Sequence, residues 1–149
     1  MEKQHFINIG EYHVGNGSGT MVCRGLGSCV ALFLYDRVTR VSGGAHIFLP
    51  EALNSNDKQV AAYLFQKVID GMKELGADIN RLRAQIIGGA SVVKSNPMQI
   101  GERNIEKVKS LLLENKIFLA TQDVGGDLSR SVMFDMDNGS VSIKHNVVK

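Results

Sequence analysis

The sequence contains no tryptophan, only two prolines and two cysteines, and no long uninterrupted apolar run. The longest such run, at 30–35, is far too short to span a bilayer, and the first ten residues lack the apolar core of a signal peptide. The formal net charge is only +2, so nothing in it favours nucleic acid or an anionic membrane as a partner. We therefore expect a cytoplasmic protein without nucleic-acid binding or membrane insertion, whose two cysteines are free thiols.

What the sequence does contain is an ordinary globular composition, with 44% hydrophobic and 21% charged residues over 149 positions. A chain of this length can bury a sizeable core without metal or disulfide support. No repeat or low-complexity linker divides it. We expect a single domain over 1–149.

The pattern of apolar residues predicts both strands and helices. The apolar stretch 29–35 indicates a strand buried on both faces, and a polar turn at 36–40 connects it to a second strand at 41–49. Apolar residues at spacings of three and four predict helices over 57–75 and 101–114. Further strands are predicted at 6–9, 11–14, 20–23, 84–87, 117–121, 131–136 and 140–145, the last two forming a hairpin about an Asn-Gly turn. This mixture indicates a layered α/β sandwich with a largely antiparallel or mixed sheet.

One pair of residues in the 29–49 hairpin could carry out catalysis. If the turn is centred near Arg37 and Val38, Cys29 lies opposite His46, and directly opposed side chains have Cβ atoms about 4.5–5.5 Å apart. A register shift of one residue would place the two on opposite faces of the sheet. The pair is therefore a conditional prediction.

A neighbouring imidazolium would lower the pKa of the Cys29 thiol below its usual value of about 8.5 and favour the nucleophilic thiolate. His46 could hold the proton during attack on a carbonyl and return it to the leaving group. The glycine-rich turn at 25–28, just before Cys29, would let backbone N–H groups face a developing oxyanion. Together these features predict an acyl-transfer site.

Other interpretations of the same residues stay open. A cysteine beside an apolar run is commonly a small buried hydrophobe. Cys23, Cys29 and His46 could ligate zinc, but they supply only three ligands and have no CxxC spacing, so no metal is expected.

Two segments surround the Cys29–His46 pair: 25–30 (GLGSCV) and 43–50 (GGAHIFLP). Further distinctive segments are 9–12 (IGEY), 87–91 (IGGAS), 100–104 (IGERN), 123–126 (DVGG) and 130–131 (RS). In this order, and over nearly the whole chain, the segments resemble the CheD family of chemoreceptor glutamine deamidases.

The resemblance implies a three-layer α/β/β sandwich, similar to the catalytic domains of cytotoxic necrotizing factors, with mixed, largely antiparallel sheets and two long helices. It also implies a Cys-His-Thr triad in which Cys29 is the nucleophile and His46 the general base and acid. Cys23 occupies the threonine position of that triad, and a thiol is a poor acceptor for an imidazole N–H. Two outcomes stay open: a backbone carbonyl at or near residue 23 orients the ring, or activity is reduced.

The implied reaction is hydrolysis of a receptor glutamine through a cysteine thioester, with the oxyanion held by the backbone N–H groups of Ser28 and Cys29. The same nucleophile could cleave receptor methyl esters, and no cofactor is needed. The implied partners are methyl-accepting chemotaxis receptors, through their helical cytoplasmic region, and a CheC-type phosphatase. Two alternatives are a catalytically weakened regulatory protein that binds receptors or CheC, and a transglutaminase-like enzyme that transfers the acyl group to an amine.

Four further residues are candidates for contact with substrate: Gly27, Arg103, Asn104 and Arg130. Three of them lie in glycine-containing segments, at 101–104 and 125–131, that equally suit turns allowing close packing of the layers. Both interpretations stay open at this point.

Overall fold

A computed structural model describes residues 3–52, 58–92 and 98–146 of the chain. The strands are β1 (Gln4–Phe6), β2 (Tyr12–Asn16), β3 (Thr20–Leu26), β4 (Val30–Asp36), β5 (Val41–Ile47), β6 (Arg83–Gly88), β7 (Phe118–Val124), β8 (Arg130–Asp135) and β9 (Val141–His145). The helices are α1 (Ala61–Glu74) and α2 (Ile100–Glu114), and a short 3-10 helix spans Ile79–Arg81.

The strands form two mixed sheets. The four-stranded sheet has the order β1-β3-β8-β9, and the five-stranded sheet has the order β2-β5-β4-β6-β7. Only the β1–β3 and β6–β7 pairs are parallel; the other strand pairs of the described residues are antiparallel. The prediction of mixed, largely antiparallel sheets is confirmed.

Two separate apolar cores show how the sheets and helices are layered. Alternate residues of β4 point to opposite faces: Leu32 packs in the core under α1 and α2, whereas Phe33 packs between the two sheets. In the inter-sheet core the rings of Phe33 and Phe134 stack with their centroids 4.9 Å apart. The helices therefore cover one face of the five-stranded sheet and the four-stranded sheet covers the other, which confirms the α/β/β sandwich.

Both predicted helices exist, with somewhat different bounds. The apolar stripe of α1 includes Leu64, Val68 and Met72, all fully buried. The helix begins at Ala61 because Val60 is still extended and forms a β-bridge with Leu49. The start predicted at residue 57 lies outside the described residues. The second helix, α2, begins one residue earlier than predicted, at Ile100.

The β4–β5 hairpin exists, but its predicted register was wrong. The turn occupies residues 37–40, with Arg40 at φ 62° and its N–H donated to the carbonyl of Asp36 at 2.7 Å. His46 consequently lies opposite Ala31 rather than opposite Cys29. Because the difference between the two registers is two residues, every side chain keeps the face that the prediction gave it.

Candidate active site

Cys29 lies immediately before β4, at the open end of the hairpin. Its side chain is only 6% exposed and packs in the inter-sheet core. Its carbonyl accepts a hydrogen bond from the N–H of Gly89 at 2.8 Å. This close approach requires glycine at position 88, where φ is +115° and a Cβ would lie 2.3 Å from the Cys29 carbonyl oxygen. The backbone of Cys29 is thus fixed against the end of β6.

His46 lies near the end of β5, on the same face of the sheet as Cys29. Its neighbours Ala45 and Ile47 pack in the helix-side core, so by strand alternation His46 faces the other way, between the sheets, where it is 3% exposed. The pairing of Val30 with Ile47 makes Cys29 and His46 diagonal neighbours. Diagonal positions are about 7–8 Å apart, within reach of a long or aromatic side chain.

The imidazole of His46 has one nitrogen bound and one free. Its Nδ1 lies 2.9 Å from the carbonyl oxygen of Ile7. A carbonyl can only accept, so the proton is on Nδ1, and in the neutral ring Nε2 carries a lone pair. Nε2 is buried and has no hydrogen-bond partner among the described residues. The ring is therefore oriented as a base whose accepting nitrogen is unoccupied.

The carbonyl of Ile7 reaches His46 because the chain crosses here from one sheet to the other. The N–H of Ile7 is still donated to Val22 of β3, at 2.8 Å. A tight turn follows, closed by a bond from Glu11 N–H to the Asn8 carbonyl, and the chain then enters β2. The backbone of His46 accepts from Gly10 and donates to Glu11, at 2.9 and 3.0 Å. The predicted first strand at 6–9 was therefore wrong beyond Phe6, because these residues form the crossing.

Ile7 is not among the residues that the sequence predicted for the site. Its contribution is a backbone carbonyl, so the identity of the side chain carries no signal for it. The only hint was the neighbouring segment 9–12, which matched the family pattern.

Burial keeps both members of the pair uncharged. It raises the pKa of the Cys29 thiol to about 11. It also lowers the pKa of His46, an effect that the bond to Ile7 and the charge of Glu11 only partly oppose. The expected lowering of the Cys29 pKa by an imidazolium was thus wrong, because burial raises this pKa and also disfavours the imidazolium form of His46. The resting pair is a neutral thiol and a neutral imidazole.

Cys23 lies in β3, opposite Val132, and is fully buried in the same inter-sheet core as Cys29. Burial, and then the neighbouring Cys29 thiol, raise the pKa of Cys23 to about 12. The Nδ1 of His46 bonds to the carbonyl of Ile7, whose own N–H is donated to Val22 of β3. A backbone carbonyl therefore orients the ring, as in the first of the two outcomes left open by the sequence, but it belongs to Ile7 in the crossing between the sheets.

The loop before Cys29 holds the other predicted backbone groups. Gly27 and Ser28 are half-buried. The carbonyl of Gly27 accepts from Ala90 N–H at 2.8 Å, and that of Ser28 accepts from the Asn104 amide at 2.9 Å. Since carbonyl and N–H point in opposite directions across a trans peptide, the N–H of Cys29 faces away from Asn104. The N–H groups predicted to hold an oxyanion thus lie in a loop fixed on two sides.

The three polar candidates for substrate contact have different surroundings. Arg103 is exposed and lines a surface cavity of about 220 Å³ together with Glu51 and Glu106. Asn104 is fully buried. Arg130 is 3% exposed, and its guanidinium donates to the side chain of Asp123 at 2.9 Å and to the carbonyl of Gly125. The structure does not bring these three together with Cys29 and His46 in one cavity.

A surface cavity of about 510 Å³ lies beside the crossing that holds His46. Its walls are the two edge strands β1 and β2 and the turn between them. The rings of His5 and His13 stack in it with centroids 3.8 Å apart, and Phe6 and Tyr12 are 47% and 44% exposed. The lining residues are His5, Phe6, Ile7, Gly10, Glu11, Tyr12 and His13. A protein segment bound here would lie close to the backbone of His46.

Neither a metal centre nor a membrane span is found in the described ranges. Within residues 3–52, 58–92 and 98–146, no three histidine, cysteine or acidic side chains converge as metal ligands. None of the helices in those ranges is long and apolar enough to cross a membrane.

Fold and site together define a class of protein: a two-sheet α/β/β sandwich with a cysteine and a histidine buried on one face at the open end of its central hairpin. Residues 48–145 match the model of the family described as CheD chemotactic sensory transduction. The chain belongs to the CheD family.

Curated relatives resemble nearly the whole chain. It is 39% identical over 140 residues to the chemoreceptor glutamine deamidase CheD of Thermotoga maritima, covering 93% of this chain and 89% of that protein. It is 38% identical over 151 residues to a probable chemoreceptor glutamine deamidase CheD of Pyrococcus abyssi, covering 97% and 93%. A similarly named protein of Archaeoglobus fulgidus is 33% identical over 151 residues, covering 98% and 96%.

Proposed function

We propose that this protein converts glutamine side chains of chemoreceptors to glutamate, with Cys29 as nucleophile and His46 as general base and acid. One observation carries the proposal. The Ile7 carbonyl holds the proton of His46 on Nδ1 and leaves Nε2 unpartnered, on the sheet face that also bears Cys29. The family membership and the names of the relatives supply the substrate class.

In the first half of the reaction, Nε2 of His46 takes the thiol proton as Sγ of Cys29 bonds to the carboxamide carbon. The developing oxyanion accepts hydrogen bonds from the backbone N–H groups of Ser28 and Cys29. The imidazolium then protonates the leaving nitrogen, the C–N bond breaks, and ammonia departs. The product of this half is a thioester between Cys29 and the receptor side chain.

In the second half, His46 takes a proton from water while the water oxygen attacks the thioester carbon. The C–S bond breaks, glutamate is released, and the proton returns to the sulfur. A receptor methyl ester would form the same thioester with methanol as the leaving group, so we propose methylesterase activity as a secondary reaction.

The raised pKa of Cys29 affects when the proton moves. At neutral pH a thiol of pKa about 11 is almost fully protonated, so a preformed thiolate is scarce. Proton transfer to His46 therefore accompanies the attack rather than preceding it. The lowered pKa of His46 keeps its Nε2 unprotonated for this step.

The proposed partner is the helical cytoplasmic region of methyl-accepting chemotaxis receptors, which places the protein in the cytoplasm. A CheC-type phosphatase is a second proposed partner, on the family resemblance. Binding of a purified CheC-type protein, measured by calorimetry, tests this second interaction separately from catalysis.

The function is tested by incubating the purified protein with receptor cytoplasmic fragments and measuring the mass of each glutamine-containing peptide. Deamidation replaces NH₂ by OH, and we expect this change at a subset of glutamines. Cys29→Ala should abolish it. An added primary amine that became attached to glutamine would instead identify acyl transfer to amines.

One observation favours a second candidate function, that of a regulatory binding protein. Both thiols at the site are raised in pKa by burial, and Cys23 gives His46 no hydroxyl acceptor. No conversion of any receptor glutamine by the intact protein, combined with measurable binding to the receptor fragment, would establish that candidate and exclude the enzyme.

A further inference from the structure

Asn104 connects the two segments that carry the candidate catalytic pair. It lies in the second turn of α2 and is fully buried. Its Nδ2 donates to the carbonyl of Ser28 at 2.9 Å and to the carbonyl of Phe48 at 3.1 Å. Ser28 precedes Cys29, and Phe48 follows His46 by two residues. A single amide therefore bonds to the backbone beside both members of the pair.

The position of α2 brings Asn104 to these carbonyls. Residue 101 must be glycine, because a Cβ there would lie 2.6 Å from the carbonyl oxygens of both Gly89 and Ala90. The first turn of the helix consequently packs directly on the backbone after β6. That backbone in turn donates to the loop of Cys29, from Gly89 to the Cys29 carbonyl and from Ala90 to the Gly27 carbonyl. The helix, the end of β6 and the nucleophile loop are thus stacked in direct contact.

The bond from Asn104 to the Ser28 carbonyl also fixes the orientation of the peptide group between Ser28 and Cys29. In a planar trans peptide the carbonyl of Ser28 and the N–H of Cys29 point in opposite directions. Holding the carbonyl against Asn104 therefore fixes the direction of the Cys29 N–H, one of the two groups proposed to receive the oxyanion. The bond to Phe48 restrains the strand end that carries His46.

Core stability alone does not account for an amide at this position. Oδ1 of Asn104 is buried and has no hydrogen-bond partner among the described residues. A buried acceptor without a donor disfavours the folded state. The two bonds made by Nδ2 are what the amide supplies.

We propose that Asn104 is a positioning residue, which holds the nucleophile loop and the histidine strand in one geometry without contacting the substrate. This inference rests on the proposed roles of Cys29 and His46. It replaces substrate contact, the role that the sequence suggested for Asn104, with a role at the backbone behind the pair.

The test compares Asn104→Ala with Asn104→Ser, whose hydroxyl can donate one bond, and with Asn115→Ala. Asn115 is the matched control, because its amide also donates to a backbone carbonyl, that of Leu111 at 2.8 Å, at the far end of the same helix. We expect kcat for receptor-fragment deamidation to fall about 100-fold in Asn104→Ala with KM within about threefold, because misplacement of catalytic groups has effects of that size. Asn104→Ser should be intermediate, and Asn115→Ala should retain wild-type kcat.

A second readout separates positioning from a general loss of structure. Acylation of Cys29 by p-nitrophenyl acetate is measured in Asn104→Ala, His46→Ala and the double variant. If Asn104 acts by aligning the pair, its replacement slows acylation strongly when His46 is present and much less when it is absent. Equal effects in the two backgrounds, or a folded Asn104→Ala with wild-type kcat, would overturn the inference.

The ester assay also separates this inference from the proposed function. A protein that acylates Cys29 in an Asn104-dependent way but leaves every receptor glutamine unchanged would retain the positioning role and lose the deamidase assignment. If Asn104→Ala does not fold, Asn104→Ser is used in the same cycle. A wild type that neither acylates Cys29 nor deamidates any receptor glutamine would overturn both.

Discussion

The two ends of the β4–β5 hairpin bury titratable side chains in opposite ways. At the closed end, the Asp36 side chain is inaccessible to solvent and accepts hydrogen bonds from the backbone of Val38, Thr39 and Asp78 and from the guanidinium of Arg81. Burial alone would raise the pKa of Asp36, but the bonds from Arg81 and the backbone N–H groups hold it well below its usual range. This carboxylate is charged and well supplied with donors.

At the open end, two buried polar atoms lack hydrogen-bond partners within the described part of the chain. Nε2 of His46 and Oδ1 of Asn104 have no partner among the described residues. Burial shifts the pKa values of Cys29 and His46 toward their neutral forms, and at His46 the bond to Ile7 and the charge of Glu11 oppose the shift only in part. Burial thus serves two purposes in the hairpin: the fully bonded carboxylate of Asp36 stabilises the fold, and the unfilled Nε2 of His46 is available to a reactant.

The largest expected effect is at the open end. His46→Gln should lower kcat for deamidation about 1,000-fold, because it removes the group that takes and returns the proton. His145→Gln, at an exposed histidine paired with Asp123, is the control and should keep wild-type kcat. The midpoint of thermal unfolding should change little in both. A His46→Gln variant that unfolds while retaining kcat per folded molecule would assign this histidine to the structure instead.

The reverse pattern is expected at the closed end. Asp36→Asn should lower the free energy of unfolding by about 3 kcal/mol, because it breaks a buried charge pair and leaves donors facing an amide. Asp70→Asn, on the exposed face of α1, should be nearly neutral. Urea titration measures both, and kcat per folded molecule should be unchanged. A loss of kcat without a loss of stability would contradict the division between the two ends.

The same variant has a defined pH dependence. Because the pKa of Asp36 is lowered in the folded state, the unfolded chain binds a proton first as pH falls. The stabilising contribution of Asp36 is therefore fully present above the unfolded pKa of about 4 and declines as pH drops below it. Wild type and Asp36→Asn should converge in stability in that acidic range.

The sequence predicted the face of the pair but not its contacts. The register assumed for the 29–49 hairpin placed Cys29 and His46 on one face of the sheet, and in the structure both lie on the face between the sheets. Their register could not be predicted, because it depends on Arg40 taking a positive φ and lengthening the turn to four residues. The contact with the Ile7 carbonyl could not be predicted for a different reason: any residue at position 7 supplies the same backbone oxygen.

A smaller effect tests the charge state of the open end. The rate of Cys29 alkylation by iodoacetamide should rise about tenfold per pH unit between pH 7 and 10, because the reactive thiolate forms only as pH approaches the thiol pKa of about 11. Mass spectrometry in Cys23→Ala isolates the reaction at Cys29. A rate that is constant above pH 7 would reveal a preformed thiolate–imidazolium pair and remove the contrast in charge between the two ends.

The smallest expected effect is at Cys23. Cys23→Thr restores the threonine of the family pattern, yet kcat should change by no more than about threefold, because the Ile7 carbonyl already accepts the Nδ1 proton of His46. Cys23→Val is the control for packing, because valine has nearly the same shape as threonine but no hydroxyl. A gain of tenfold or more in Cys23→Thr alone would show that the ring requires a side-chain hydroxyl and that the open end of this protein is impaired.

The crossing at Ile7 makes the orientation of the His46 ring insensitive to substitution at position 7 and sensitive to deletion. No exchange of side chain at position 7 removes a main-chain oxygen, so Ile7→Val leaves the acceptor in place. Loss of one residue between Gln4 and Ile7 would move the strand by about 3.3 Å and turn the carbonyl to the opposite side. The imidazole would then lose the acceptor that determines which of its nitrogens can receive a proton.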